Sequence, residues 1–435
     1  MTDQLQSKGF SRRGFLGFAG AAAALPLLAA CSGGGGGSSG GKGGIIKFWN
    51  MPWASPAFNV KDKQITLAYK PPKGLGAATY QIVQWATFTQ TFGSAIASNT
   101  GPAVSSGGGL QAFQYAAQGK IAYADNLIAT FKKDGTYDDF VDGAWDAMKT
   151  DKGYAAVPYA YDMRVMYYRK SLIEKNNITL PTTWDEWLAV AKDLKKVGMY
   201  AYGVGGGAGN NVGVQSLISL MINNGGGVFD ADKKFNPVTD KNIEAMDFVR
   251  ELISAGAVDP SSVTYTPDNV YAQWKANKFV IGFWSPGLSV NTGLSDIEVM
   301  PPLKSRSGES GALYFPNNLM MYKETPSQEG SEAFLSYYVK NMHQLWDSQV
   351  FSSVPVLKSI VNSEPFKKNK DGLGAAKYYL PVAKTLASPG GQAVFPAIAT
   401  MDGTAPSLAF GQVMLAGKTD SKKALQDWKT AVESA

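Results

Sequence analysis

The chain has one histidine, His343, and one cysteine, Cys31, and these two counts remove whole classes of chemistry. A zinc site built from several imidazoles is impossible, and a nucleophile relying on a histidine base would have to use His343 itself. That residue lies within Tyr337 to Trp346, a stretch with amphipathic helical spacing, and reads as a structural histidine. A lone cysteine cannot close a disulfide within the chain. Carboxylates are plentiful, 35 Asp and Glu in all, so chemistry that needs only two facing acids, as glycoside hydrolysis does, stays open. Gly203 Val204 Gly205 Gly206 Gly207 Ala208 has dinucleotide-fingerprint spacing. No acidic residue ends a following strand about 20 residues on, so a nucleotide is not expected there. Neither a metal nor any other cofactor is expected elsewhere.

The first 44 residues carry their own signal. Ser11 Arg12 Arg13 Gly14 Phe15 Leu16 is a twin-arginine pattern ahead of an alanine-rich apolar run that closes on Leu28 Ala29 Ala30 Cys31. It resembles a bacterial lipoprotein signal: cleavage before Cys31, acylation of that thiol, and retention at the outer face of the cytoplasmic membrane. The run from Phe15 to Ala30 is short of the ~20 apolar residues a membrane span needs, and glycines and Pro26 interrupt it. Ser32 to Gly44 is almost wholly glycine and serine, a tether with a root-mean-square reach of roughly 20 Å. An exported, lipid-held protein that captures a solute is the first functional expectation.

Without residues 1–30, the chain remains long enough for two domains with cores of their own. Formal net charge is +6, falling to about +4 without that segment, and the lysines are scattered in the manner of a solvated surface. A nucleic-acid partner is not expected.

The elements alternate. Ile45 to Trp49 and Gln64 to Tyr69 read as strands, Tyr80 to Ser98 mainly as helix, Pro102 to Ser105 as a strand, and Leu110 to Gln118 as helix. Thr183 and Glu186 form a capping box before Trp187, Leu188, Ala191 and Leu194, and Gly198 supplies the stop. Helices are also predicted over Asp240 to Ser254, from Thr266 Pro267 Asp268 onward, and over Ser421 to Glu433, with a buried strand at Phe279 to Trp284. Such alternation argues for an α/β protein with helices covering a largely parallel sheet.

Three stretches resemble the extracellular solute-binding proteins of ABC importers, in the branch that mostly carries sugars and oligosaccharides. They are Gly153 to Lys195, with Val157 Pro158 Tyr159 and Pro181 Thr182 Thr183 Trp184 Asp185 Glu186 Trp187; Asn223 to Leu252, with Asn224 Gly225 Gly226 Gly227 Val228 Phe229 Asp230; and Lys278 to Trp284, followed later by Val354 Pro355 Val356. The resemblance implies a two-lobe periplasmic-binding-protein-like fold with a ligand cleft between the lobes. Crossings are expected near Tyr159 to Arg164, near Met300 to Leu303 and near Lys340. Lobe 1 would then comprise 45–160 plus 303–340, and lobe 2 would comprise 161–302 plus 341–435. The partners it implies are a sugar or oligosaccharide, permease subunits of an importer, and the membrane through the lipid on Cys31, with the protein itself a monomer and no enzyme. The family usually places an acid after its Gly-x-Pro turn, whereas Gly101 Pro102 continues here with Ala103 Val104 Ser105 Ser106, so the first lobe is expected to present a different loop.

A sugar site needs aromatic plates and a few fixed donors and acceptors. The candidates are Trp284 at a strand end, Trp53 in the loop after the first strand, and Tyr161, Asp162 and Arg164 in the proposed crossing strand. Ser106 beside the triplet Gly107 to Gly109, Gly205 and Asn210 in the loop Gly203 to Asn211, and Asn317, Asn318 and Asp402 in other loops complete the set. Two alternatives stay open: a secreted glycoside hydrolase, and a receptor for a peptide, polyamine or other non-sugar solute.

Overall fold

The computed structural model describes residues 43–435 except 86, 324 and 392. The signal, Cys31 and most of the tether lie outside the described residues. In chain order the strands are β1 (Ile46–Asn50), β2 (Ala78–Ile82), β3 (Val104–Gly107), β4 (Ile121–Ala122), β5 (Lys149–Thr150), β6 (Gly153–Tyr154), β7 (Val157–Met163), β8 (Val165–Arg169), β9 (Ile281–Trp284), β10 (Ile297–Met300), β11 (Ala312–Tyr322), β12 (Val354–Pro355) and β13 (Ala383–Lys384). The large sheet runs β12-β7-β11-β3-β1-β2, with β4 and β13 also pairing to β11. β1 is parallel to β2 and β3, whereas β11 is antiparallel to both β3 and β7. A second sheet, β10-β8-β9, is antiparallel throughout, and β5 and β6 form a small hairpin. The two principal sheets are the centres of two lobes.

Local chemistry explains most elements. Thr183 Oγ1 accepts from the Glu186 amide at 3.3 Å while Glu186 Oε2 takes the Thr183 amide, so the capping box closes at the head of the Trp184–Lys196 helix. That helix ends at Gly198, whose φ of +72° suits a residue without Cβ. Helices Asp240–Ser254, Pro267–Lys275 and Ser421–Glu433 begin on caps from Thr239, Thr266 and Asp420. Trp184 stacks on Phe248 at 4.4 Å and Phe410 on Trp428 at 4.2 Å, which builds the core beside the smaller sheet. On the other side Phe48 of β1 packs against Phe334 and Tyr338.

Two expectations fail here. Gln64 to Tyr69 is no strand; its first residues finish the helix Pro56–Leu67. The buried residues of that helix are Phe58, Asp62, Ile65 and Thr66, a helical stripe with a carboxylate at its centre that breaks the apolar pattern in the sequence. Tyr80 to Ser98 is likewise not mainly one helix. Ala78 to Ile82 pairs in parallel with all of β1, because Thr79, Tyr80 and Ile82 suit a pleated surface, and the helix begins only at Phe88.

The contacts of the chain trace its passages between the sheets. β7 ends in the large sheet at Met163 and β8 begins in the smaller one at Val165, leaving Arg164 alone between them. The segment after Met300 stays with the second lobe, since Lys304 O accepts from the Trp184 amide and Leu303 O from Asn223 Nδ2. The chain returns along β11, beside Arg164, whose amide donates to Leu313 O at 2.9 Å. Lys340 is inside the helix Gln328–Asn341, paired with Asp134 at 2.6 Å, and residues 354–359 still contact large-sheet elements, so no passage occurs there. Pro365 and Asn369 still bond to Gln349, Phe351 and Ser352, and Asp371 is the residue that accepts from the amides of Gly287 and Ser289 in the second lobe.

Asp62 is fully buried, bonded to Asn50 and Tyr338. Burial raises its pKa to about 6, with hydrogen bonds from Tyr338 and Asn50 offsetting only part of the desolvation. A carboxyl raised on folding contributes stability that is complete below its unfolded value and lost as pH climbs through about 6. Relative to Asp62→Asn, which does not titrate, the wild type should therefore lose on the order of 3 kcal/mol between pH 4 and pH 7.5. Urea melts of both proteins at several pH values check this; a difference that stays constant with pH contradicts it.

Candidate functional site

The junction between the sheets gathers a polar network around Arg164. Its side chain is 8% exposed and donates from Nη1 to Asp162 Oδ2 at 2.7 Å and to Ser285 Oγ at 3.0 Å, and from Nε to Gln215 Oε1 at 2.8 Å. The guanidinium also lies over the Phe315 ring, 4.9 Å from its centre. Gln215 passes the network on, its Nε2 donating to Asp402 Oδ1 at 3.2 Å. Burial pushes the Asp402 carboxyl up, against the opposing pull of the Gln215 hydrogen bond and the Arg164 charge. Thus Asp162 and Arg164 from the crossing strand meet Asp402 from the far end of the chain.

The opposite signs matter. Arg164 and Asp162 neutralise each other within one hydrogen-bonded pair, so the junction carries little net charge while keeping several oriented dipoles. Around it stand aromatic rings. Trp284 closes β9 immediately before Ser285, is 5% exposed, and meets Tyr271 edge-on at 5.2 Å. Tyr161 of β7 is buried with its ring edge-on to Tyr314 at 5.8 Å.

A second constellation lies in the first lobe. Trp53 is partly exposed and meets Trp85 edge-on at 5.0 Å, with Tyr159 behind it at 6.1 Å. Trp85 is 36% exposed, and Phe88 packs on its other side at 5.6 Å. Trp53 Nε1 donates to Asn50 Oδ1 at 2.9 Å and to Ser106 Oγ at 3.2 Å. Ser106 is fully buried and is committed to Asn50, the Met51 amide and Trp53. It holds the loop.

Asn317 and Asn318 are not in a loop. Both are buried in β11, at a register irregularity opposite β7. Among the described residues Asn317 Nδ2, Asn318 Oδ1 and Gln111 Oε1 are buried without a hydrogen-bond partner, while Asn318 Nδ2 faces Gly109 O at 3.4 Å. The glycine-rich loop is a different matter. A Cβ on Gly205 would lie 2.5 Å from Tyr265 O and 2.6 Å from Asn210 Nδ2, so glycine serves close packing there rather than access for a ligand. Asn210 is 1% exposed and spends its amide on Tyr265 O and the Val212 amide. His343 is surface-exposed, with Nδ1 2.6 Å from Asp347.

Gln215, Ser285, Phe315 and Trp85 belong to these constellations and were not among the sequence candidates. For Gln215 a signal existed: it is one of few polar residues in a helix, Val212–Asn223, that is buried at every position. No group of three or more metal-capable side chains occurs among the described residues. No described helix is long and apolar enough to cross a membrane.

Arg164→Met should strand Asp162 without its partner and cost about 3 kcal/mol of unfolding free energy. Denaturant melts measure it; a loss under about 0.5 kcal/mol, the level of an exposed pair, contradicts the network described.

Comparison with known proteins closes the argument. A crystal structure of a sugar transporter from Arthrobacter chlorophenolicus A6 with bound laminaribiose is 46% identical, with a TM-score of 0.86 over 90% of this chain and 99% of that one. Maltose-bound MalE3 of T. maritima shares the fold at a TM-score of 0.75 and 16% identity, over 90% of this chain and 99% of its own. A Brucella abortus (strain 2308) chain named as a binding protein is 24% identical over 238 residues, 52% of this chain and 56% of its own length. The chain thus spans about half the length of that curated relative. The profile of the bacterial extracellular solute-binding proteins matches residues 76–344, and with the two-lobe architecture and its junction this chain belongs to that family.

Proposed function

We propose that this protein captures a short, neutral oligosaccharide outside the cell and hands it to the permease of an ABC importer. The observation that carries the reading is the junction itself: an Asp162–Arg164–Gln215–Asp402 network in which Asp162 and Arg164 pair, with Ser285 next to Trp284 in sequence, while the first lobe presents the partly exposed Trp53–Trp85 pair. Aromatic faces suit the C–H surfaces of pyranose rings, and fixed donors and acceptors suit their hydroxyls. The ligand named with the 46% identical structure makes a β-linked glucose disaccharide, laminaribiose, the first candidate.

In this reading Trp284, Asp162, Arg164 and Asp402 serve the ligand from the junction, and Trp53 from the first lobe. Tyr161 backs the junction, and Asn317 and Asn318 offer unused polar atoms in the strand between. Gly205, Asn210 and Ser106 act only through the loops they hold. Lobe 1 is assigned to 45–163 with 314–369, and lobe 2 to 165–312 with 370–435. The signal pattern supports export by the twin-arginine route and a lipid anchor at Cys31, with the Gly/Ser tether giving the lobes room to reach the permease. The protein acts as a monomer and leaves its ligand uncleaved.

Calorimetry with laminaribiose should give a dissociation constant near 1 μM, about −8 kcal/mol, and intact disaccharide should be recovered afterwards. Sustained release of glucose would favour a hydrolase, and binding of peptides or polyamines without any sugar would overturn the carbohydrate reading. Trp284→Ala should weaken binding about tenfold or more at unchanged solubility; unchanged affinity would remove it from the site. Cys31→Ser should move the protein from the membrane fraction of expressing cells to the medium, and retention at the membrane would refute the anchor.

A further inference from the structure

We propose that Asp62, a carboxylate buried behind the first lobe's aromatic wall, is a positioning residue for ligand binding: through the Asn50 amide it fixes the orientation of the Trp53 indole. The proposal rests on the reading of Trp53 as part of the sugar site. Asp62 Oδ2 accepts from Asn50 Nδ2 at 2.5 Å, and Asp62 Oδ1 accepts from the Tyr338 hydroxyl at 2.5 Å. On the other end of the same amide, Asn50 Oδ1 accepts from the Met51 amide at 2.8 Å, from Trp53 Nε1 at 2.9 Å, and from Ser106 Oγ.

An amide has two chemically distinct ends, and an ionised carboxylate can only accept. Asp62 therefore selects which way Asn50 faces. Turned over, the amide would put its N–H₂ group against the N–H groups of Met51 and Trp53 and its oxygen against a carboxylate. The indole would lose its nearer acceptor, and its second one, Ser106 Oγ at 3.2 Å, is itself held by the same Asn50 oxygen. Beyond Asn50 the indole bonds only to Ser106; it is partly exposed, and its ring neighbours are Trp85 and Tyr159.

Packing alone does not account for a carboxylate here. The buried face of the helix Pro56–Leu67 is otherwise Phe58, Ile65 and Thr66, and an apolar residue at 62 would complete it without the desolvation cost of a charge. What the apolar residue could not do is orient Asn50. Asn50 and Asp62 are both fully buried, so neither touches a ligand, and the effect reaches the cleft only through Trp53.

The test is a double-mutant cycle with laminaribiose as the probe, paired with a readout that needs no sugar. Asp62→Leu should weaken binding about fivefold in the wild-type background and less than about twofold in Trp53→Phe. Asp62→Asn, which keeps an acceptor oxygen for Asn50, should stay within about twofold of wild type. If Asp62→Leu does not fold, Asn50→Leu breaks the same link and must show the same dependence on Trp53. In protein labelled with ¹⁵N-tryptophan, the Trp53 indole N–H resonance, identified by its loss in Trp53→Phe, should shift in Asp62→Leu while the indoles of the second lobe stay in place.

Equal weakening in both backgrounds, or an unmoved Trp53 resonance, overturns the proposal. A Trp53→Phe variant with wild-type affinity removes Trp53 from the site and the proposal with it. If laminaribiose does not bind the wild type, the sugar reading has failed, and the indole resonance still decides whether Asp62 orients Trp53.

Discussion

Everything in this molecule turns on one residue having to satisfy two sheets at once. Arg164 is the single position between β7 of the large sheet and β8 of the smaller one, and its charge is buried. A buried guanidinium must have partners, and these come from both sides: Asp162 from the large-sheet strand, Gln215 and Ser285 from the second lobe. Its backbone amide meanwhile binds Leu313 O, tying the outgoing passage to the returning one. The outgoing and returning strands are thus tied together at one well-bonded seam between the two sheets. A ligand bound against that seam would favour the closed state by whatever it binds more tightly there.

The polar seam also bears on what such a cleft can hold. With Asp162 and Arg164 paired, there is little residual field to attract an ion, and the oriented groups left over are hydrogen-bonding dipoles set among aromatic rings. Such a surface favours a neutral, hydroxylated, partly apolar molecule over a charged one. The same economy recurs in the first lobe, where one asparagine amide serves four partners and links a buried acid to the partly exposed Trp53 indole.

Local signals were legible where caps and periodicity agreed. The capping box at Thr183 and Glu186 and the Thr266 Pro267 start each mark a helix that is present, and the helix read over Ser421 to Glu433 is there as well. The reading failed where tertiary structure overrode local pattern. Asp62 interrupts the helical stripe of its own helix, and Ala78 to Ile82 takes its strand form from pairing with β1, which no local window contains. The bond between the Arg164 amide and Leu313 O was equally invisible, because it joins residues far apart in sequence. At the junction, Asp162, Arg164 and Asp402 are sequence candidates that one chain of hydrogen bonds joins, through Gln215. Gly205 and Asn210 drew attention through composition alone, and their loop packs inward instead.

The central claim is that two lobes hinged at Arg164 shut on a sugar. Because the only native thiol is Cys31, spin labels can be placed at will on a Cys31→Ser background, for example through Lys133→Cys on the first lobe and Lys192→Cys on the second. Pulsed-dipolar distances between them, measured while laminaribiose is titrated in, should shorten and narrow in step with binding. A distance distribution that stays the same at saturating, calorimetrically verified sugar would contradict the account.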